Sequence, residues 1–330
     1  MHVDGFEYAP GAHCGSAALR DLATFYGWRY TEPACFGLGS GLGFEYTDRG
    51  PAERLVMGRR AGLETDFFDA LGVDYTHREG QSRDEAWSAL RERLAANTPV
   101  ALFVDLYYLD YFGTDTHFGP HTLLCVGIDE DADEVVLADG EFDDRQRVGR
   151  DELDAAWSSE YGFGDLDRRW LAVDDPQRTV DTPAAVVDAV RTTADVMLDG
   201  REEWGGQGVD GIRAFADDLP TWPDLDDPAW TARFAYQNVE RRGTGGGAFR
   251  RLFADFLAQL GEPAGVPGAS ADRAARLADQ WSALGATLRE ASEAGPDEQV
   301  VLFERAAEQA HAVADAEERL FEDVRAGLDL

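Results

Sequence analysis

The spacing of apolar residues changes character about halfway along the chain. Over residues 15–26, Ala18, Leu19, Leu22, Ala23 and Phe25 form one helical stripe that Gly27 closes, so Cys14 falls at a helix start. A helix through 67–71 leads into a strand over 73–76. Residues 82–96 predict a second helix, opened by Ser82 with Glu85 three residues on as a capping box. Apolar and β-branched runs over 99–106, 121–128, 134–138 and 169–173 predict strands, two of them joined by the acidic turn 129–133. Strands in succession point to an antiparallel sheet packed by helices on one side. Past Asp174 and Asp175 the strand signals stop, and helical patterning covers 181–199, 207–218, 227–241, 247–261, 270–293 and 297–326. The expected fold class is α+β, with a sheet-containing domain over 1–175 and an all-helical domain over 176–330.

Charge changes this picture only at the surface. The 330 residues hold 64 Asp and Glu against 30 basic residues, all of them arginine, for a net charge of −34. Hydrophobic residues still make up 44%, enough to fill two cores, so the acidity marks a solvated surface and not disorder. Such a chain repels phosphate backbones and anionic lipids, which argues against nucleic-acid and membrane partners. An acidic surface without lysine suits molar salt, where screening removes self-repulsion, and we read it as halophilic.

Cys14, Cys35 and Cys125 are too few for a disulfide framework and form no CxxC pair, so reduced thiols, a cytoplasmic location and no structural metal are expected. Residues 1–10 lack the basic and apolar regions of a signal peptide, and no apolar run is long enough to span a membrane.

The chemistry starts at Ala12-His13-Cys14-Gly15-Ser16, just before the first amphipathic helix. A cysteine there feels the positive end of the helix dipole, and the unpaired N–H groups beside it can hold an oxyanion. His121 opens one apolar strand, and Asp139 ends the strand that returns beside it. On antiparallel neighbours these two positions lie side by side, as a base and its orienting carboxylate must. Cysteine on an early helix, then histidine and aspartate on adjacent strands, is the papain-like arrangement.

The segments Gly11-Ala12-His13-Cys14, Phe36 through Phe44, Val104 through Leu109, His121 and Ala138-Asp139 resemble the N-terminal domain of the butirosin biosynthesis protein H family. The helical half, through Arg242 to Arg250 and 253–257, resembles the accessory domain that often follows it. The resemblance implies a papain-like fold used for acyl transfer. Cys14 would be acylated from a carrier-protein thioester, His121 would shuttle the proton, and Asp139 would orient it. It also implies a phosphopantetheine-linked acyl donor, an acyl carrier protein or other thioester donor as partner, an amine acceptor, and no tightly bound cofactor. Papain-like peptidases generally place a Gln about six residues before the nucleophile as an oxyanion donor; here that position is Tyr8. Tyr8 and His13 are the candidates for that task.

Other motifs add binding roles. Gly39 and Gly41 lie in a run with glycine at alternate positions that fails the dinucleotide pattern but suits close approach to a substrate. Asp105 and Tyr108 could hold an amine acceptor. Gly245 and Gly246, with Arg250 following, could seat the phosphate of the donor arm. His117 and His121 are four apart on a loop, which disfavours a zinc pair. The leading reading is a cysteine acyltransferase; a papain-like peptidase or amidohydrolase and a catalytically idle scaffold stand behind it. If the surface is halophilic, thermal melts in increasing KCl will show stability rising into the molar range, and flat or falling melts would refute that reading.

Overall fold

The strands Val100–Val104 and His121–Asp129 have no polar face, and every residue except Asp129 is buried. Runs of that kind need cover on both sides, which only the middle of a sheet offers. In the computed structural model, which describes residues 1–48, 52–161, 165–200 and 206–328, they are the central strands of a six-stranded antiparallel sheet. Its order is Asp74–Arg78, Trp170–Asp175, Val100–Val104, His121–Asp129, Glu134–Ala138 and Gln146–Gly149. Helices Cys14–Phe25, Arg83–Ala95 and Arg150–Trp157 pack against it. Ser82 and Glu85 form the expected capping box, with Glu85 Oε2 accepting from Ser82 N–H at 3.0 Å. The N-terminal residues join the sheet where the His121–Asp129 strand bulges: Val3 N–H donates to Val126 O (2.9 Å) and Ile128 N–H to Met1 O (2.8 Å).

The chain divides into two compact units, Met1–Cys35 with Leu71–Thr179, and Phe36–Ala70 with Val180–Leu330. This differs from a single break after residue 175. The second unit takes back an early hairpin, Leu42–Thr47 and Leu55–Arg59, to which the short strand Gly206–Gln207 adds as a third member. The unit therefore joins the helical C-terminal region to a small sheet drawn mainly from residues 36–70. Phe44 stacks near Trp281 (5.3 Å between centroids) and Tyr46 near Phe215 (5.3 Å), so the hairpin's apolar face is covered by helices distant in sequence. That cover is what a local pattern cannot show. The helices themselves fall close to expectation, at Thr182–Asp199, Gly208–Asp218, Pro228–Glu240, Arg250–Phe256, Ser270–Glu293 and Pro296–Leu328. Among the described residues no helix is long and apolar enough to cross a membrane.

At the centre of the second unit lies a buried ion pair. Arg250 Nε and Nη2 donate to the two carboxylate oxygens of Glu317 at 2.8 and 2.9 Å, and both residues are at most 1% exposed. Arg250 Nη1 donates to the carbonyls of Gly43, Gly58 and Ala248, and Trp281 Nε1 donates to Glu317 at 2.6 Å. One guanidinium thus ties the hairpin to the helices. Glu317→Gln will leave a buried charge without its partner, and urea unfolding should show a loss of about 3–5 kcal/mol. The double change Arg250→Met with Glu317→Leu should recover much of it; an unaffected single variant would show that the pair does not organise the unit.

Candidate active site

His13 has an extended backbone and caps the helix Cys14–Phe25, its Nδ1 accepting from Ser16 N–H at 3.2 Å. Cys14 is consequently the first helical residue, partly exposed, while Cys35 and Cys125 are buried. A carboxylate far along the chain fastens this turn. Glu32 Oε1 accepts from His13 N–H (2.8 Å), Ala12 N–H (3.0 Å) and Ser16 Oγ (3.2 Å). Gly11 N–H donates to Gly140 O at 2.9 Å, bringing the turn onto the end of the strand that leads to Asp139. A Cβ on Gly11 would lie 2.5 Å from Ala17 Cβ and 2.9 Å from Glu32 Oε2, so only glycine allows that approach.

On the sheet, Val104 pairs with His121 and Leu124 with Ala138. Continuing that register puts Asp139 opposite Leu123, diagonal to His121 on the same face. His121 Nε2 and Asp139 Oδ2 are 3.0 Å apart, at 3% and 0% exposure. The other ring nitrogen remains for Cys14, whose thiol hydrogen-bonds to the His121 side chain. The structure therefore brings Cys14, His121 and Asp139 together.

Electrostatics follow from this packing. Burial opposes ionisation of Cys14, but the pull of His13 and hydrogen bonds from His121 and His13 outweigh it and hold the thiol well below the ordinary range. Burial likewise disfavours a charged His121, and the charge and hydrogen bond of Asp139, with Cys14 adding, overcome it and push the imidazole up. Asp139 is kept low against its burial by His121, Glu141 N–H and Tyr111. Cys35 and Cys125 move the other way, pushed up by burial. Both shifts favour a thiolate beside an imidazolium, the form in which a cysteine attacks a carbonyl.

Tyr111, expected from sequence to join Asp105 and Tyr108 around an amine acceptor, sits on Asp139 instead, and Phe112, Phe142, Glu141 and Glu32 were not singled out from sequence. Tyr111 Oη donates to Asp139 Oδ2 at 2.9 Å, and the Phe112 ring meets His121 edge-on at 5.3 Å, with Phe142 closing the aromatic group. Glu141, whose N–H bonds Asp139 Oδ1 at 3.1 Å, is raised mainly by desolvation, with His121 opposing and Asp139 and Cys14 adding. Glu32 was legible only as an isolated acid. Tyr8 has a buried hydroxyl without a hydrogen-bond partner, and its ionisation is disfavoured by burial and nearby acids including Asp139.

Other expected binding residues have structural work instead. Asp105 is fully buried, its Oδ1 accepting from Tyr107 N–H and Phe118 N–H and its Oδ2 meeting His117 Nδ1 and Ser159 Oγ, both at 2.7 Å. It has no oxygen to offer an ammonium. Tyr108 packs edge-on to Tyr107 and His117, the latter stacked between Tyr107 and Tyr161 at 4.0 and 4.1 Å. Gly39 and Gly41 lie in the second unit, where Leu63 and Phe36 occupy the space a Cβ would need. Arg250 is spent on Glu317. Gly246 N–H donates to Thr244 Oγ1, and Gly247 N–H to Glu240 Oε1, at 3.0 Å each. The N–H groups of Gly246 and Gly247 are therefore already taken, one by a hydroxyl and one by a carboxylate, where a phosphate was expected.

A cysteine at a helix start, set against an antiparallel sheet that presents histidine and aspartate from neighbouring strands, defines the papain-like class. Residues 13–140 match the family model Butirosin biosynthesis protein H, N-terminal, a span that contains all three residues. Residues 151–324 match Domain of unknown function (DUF4872). The second model spans just over half of the chain, which therefore belongs to the family it describes; the first match marks an N-terminal domain of the butirosin biosynthesis protein H kind, which implies a biosynthetic role. No curated protein matches the chain.

The depression of Cys14 predicts a thiolate that persists to lower pH than an ordinary thiol's. Alkylation by iodoacetamide should be nearly flat over about pH 6 to 8, where an ordinary thiol of pKa about 8.5 rises steeply. His121→Ala should restore the steep rise; an ordinary profile in the wild type would remove the ion pair.

Proposed function

We propose that the protein is a cysteine acyltransferase that moves an acyl or aminoacyl group from a carrier-protein thioester to an amine through acyl-Cys14. The observation behind this reading is the depressed Cys14 thiol hydrogen-bonded to the His121–Asp139 pair, in a member of a biosynthetic family. The Cys14 thiolate attacks the thioester carbonyl, and a new C–S bond forms as the oxyanion develops. The Cys14 N–H at the helix start and the free Tyr8 hydroxyl supply its hydrogen bonds. Collapse breaks the donor C–S bond, and His121 gives its proton to the departing thiolate.

Acylation removes the negative charge that helped keep His121 protonated, so the imidazole becomes a better base for the second half. The amine attacks acyl-Cys14, His121 takes its proton, and the thiolate leaves. Glu141 suits an acceptor or acyl group that bears an ammonium. An oxyanion site without the amide side chain of the peptidases favours this chemistry, because a thiolate leaves with less help than an amine.

Intact-protein mass spectrometry with an acyl-pantetheine thioester should show one acyl group on the wild type and none on Cys14→Ser. Added amines should discharge it at least about tenfold faster than water. Tyr8→Phe should slow acylation by about 10²-fold with the thiol's alkylation profile unchanged. Rapid water-driven turnover of peptides, indifferent to amines, would instead establish a hydrolase.

A further inference from the structure

With 64 carboxylates to 30 arginines, a guanidinium in this chain has ample opportunity to pair. In the second unit four of them converge on one cavity of about 510 Å³, lined by Arg233, Arg241, Arg242, Arg289, Tyr236 and Gln237. One carboxylate answers them: Glu293 Oε1 lies 3.2 Å from Arg233 Nη1 and 3.3 Å from Arg289 Nε. Arg241 and Arg242 form no ion pair among the described residues. The Arg242 guanidinium hydrogen-bonds the neutral Gln237, whose Oε1 accepts from Nε and Nη2 at 3.2 and 2.9 Å. Four positive charges against one negative leave the cavity at +3 in a chain of −34.

The groups are held in place. Arg242 lies 4.6 Å over the Phe234 ring, half-buried, and Gln237 fixes its fork. Arg233 and Arg289 both approach the Tyr236 ring, at 5.8 and 5.9 Å. Desolvation with no acid nearby holds Arg242 below the usual guanidinium range. The negative end of the helix Pro228–Glu240 attracts Arg241 and Arg242, which follow it, but it accounts neither for Arg289 on the helix Ser270–Glu293 nor for Arg233 one helical turn into its own. Gathering like charges in a concavity is unfavourable unless an anion completes it.

We propose that this cavity binds a phosphate-bearing ligand of the phosphate- or diphosphate-ester class. A net +3 favours a dianion or a higher anion over a carboxylate or chloride, and planar guanidinium forks match phosphoryl oxygens in pairs. Arg241 and Arg242 offer their free N–H groups to the phosphate, while the Tyr236 face between Arg233 and Arg289 receives the group attached to it. The site is independent of the acyl-transfer reading, since every residue in it belongs to the second unit.

Calorimetric titration of the full chain at fixed KCl, with inorganic phosphate, pyrophosphate, phosphopantetheine and acetate, tests it. Pyrophosphate should bind more tightly than phosphate and acetate least, and heat from phosphopantetheine beyond that of phosphate would identify an ester as the ligand. Arg241→Gln with Arg242→Gln should weaken pyrophosphate at least about tenfold. Glu293→Gln, which removes the competing carboxylate, should tighten it. No binding of phosphate or pyrophosphate above acetate would overturn the proposal. So would unchanged binding by the double arginine variant with an unaltered melt.

Discussion

A depressed thiol in a protein of net charge −34 is the constraint around which the first unit is arranged. Every distant carboxylate works against a further negative charge, and so does burial. The opposing field has to be local: a helix start, His13 beside the sulfur, and His121 backed by Asp139. Screening by salt weakens the distant terms more than the contacts, because buried groups in contact are shielded little.

Carboxylates do different work inside this molecule from outside it. Glu32 gathers the N–H groups of Ala12 and His13, Asp105 those of Tyr107 and Phe118, Asp139 that of Glu141, and Glu240 that of Gly247. Each closes a turn whose backbone donors would otherwise be buried without partners, at a cost of about 1–3 kcal/mol per group. Composition counts these residues with the solvated acids, yet they fasten the loops that set Cys14 against the sheet and hold the hairpin of the second unit near its helices. Asp105 shows the consequence: a carboxylate whose four acceptor positions are filled is scaffold.

The two matched families divide the chain much as its hydrophobic pattern does, but the fold does not follow that linear division. Residues 36–70 fall within the span of the butirosin biosynthesis protein H model and fold with the helices of the following domain. The family is thus read from two successive stretches of sequence, whereas the second unit needs a piece of each. Arg250 is the clearest instance, because its donors reach carbonyls at Gly43 and Gly58.

What the sequence determined alone was whatever depends on neighbours along the chain. The helix opening at Cys14, the capping box at Ser82, the strands that place His121 and Asp139, and the long C-terminal helices follow from periodicity and end signals acting over a few residues. The pairing of His121 with Asp139 was legible because a short turn joins their strands. Tertiary structure alone decided the partners of polar side chains. Glu32 meeting the Cys14 turn, Asp105 closing on His117 and Ser159, Arg250 turning inward to Glu317, and four arginines sharing one cavity all join groups that no local rule connects. An apolar residue announces burial by its type and spacing. A charged residue can be buried, exposed or bound to a ligand, and the outcome rests on which distant group the fold delivers to it.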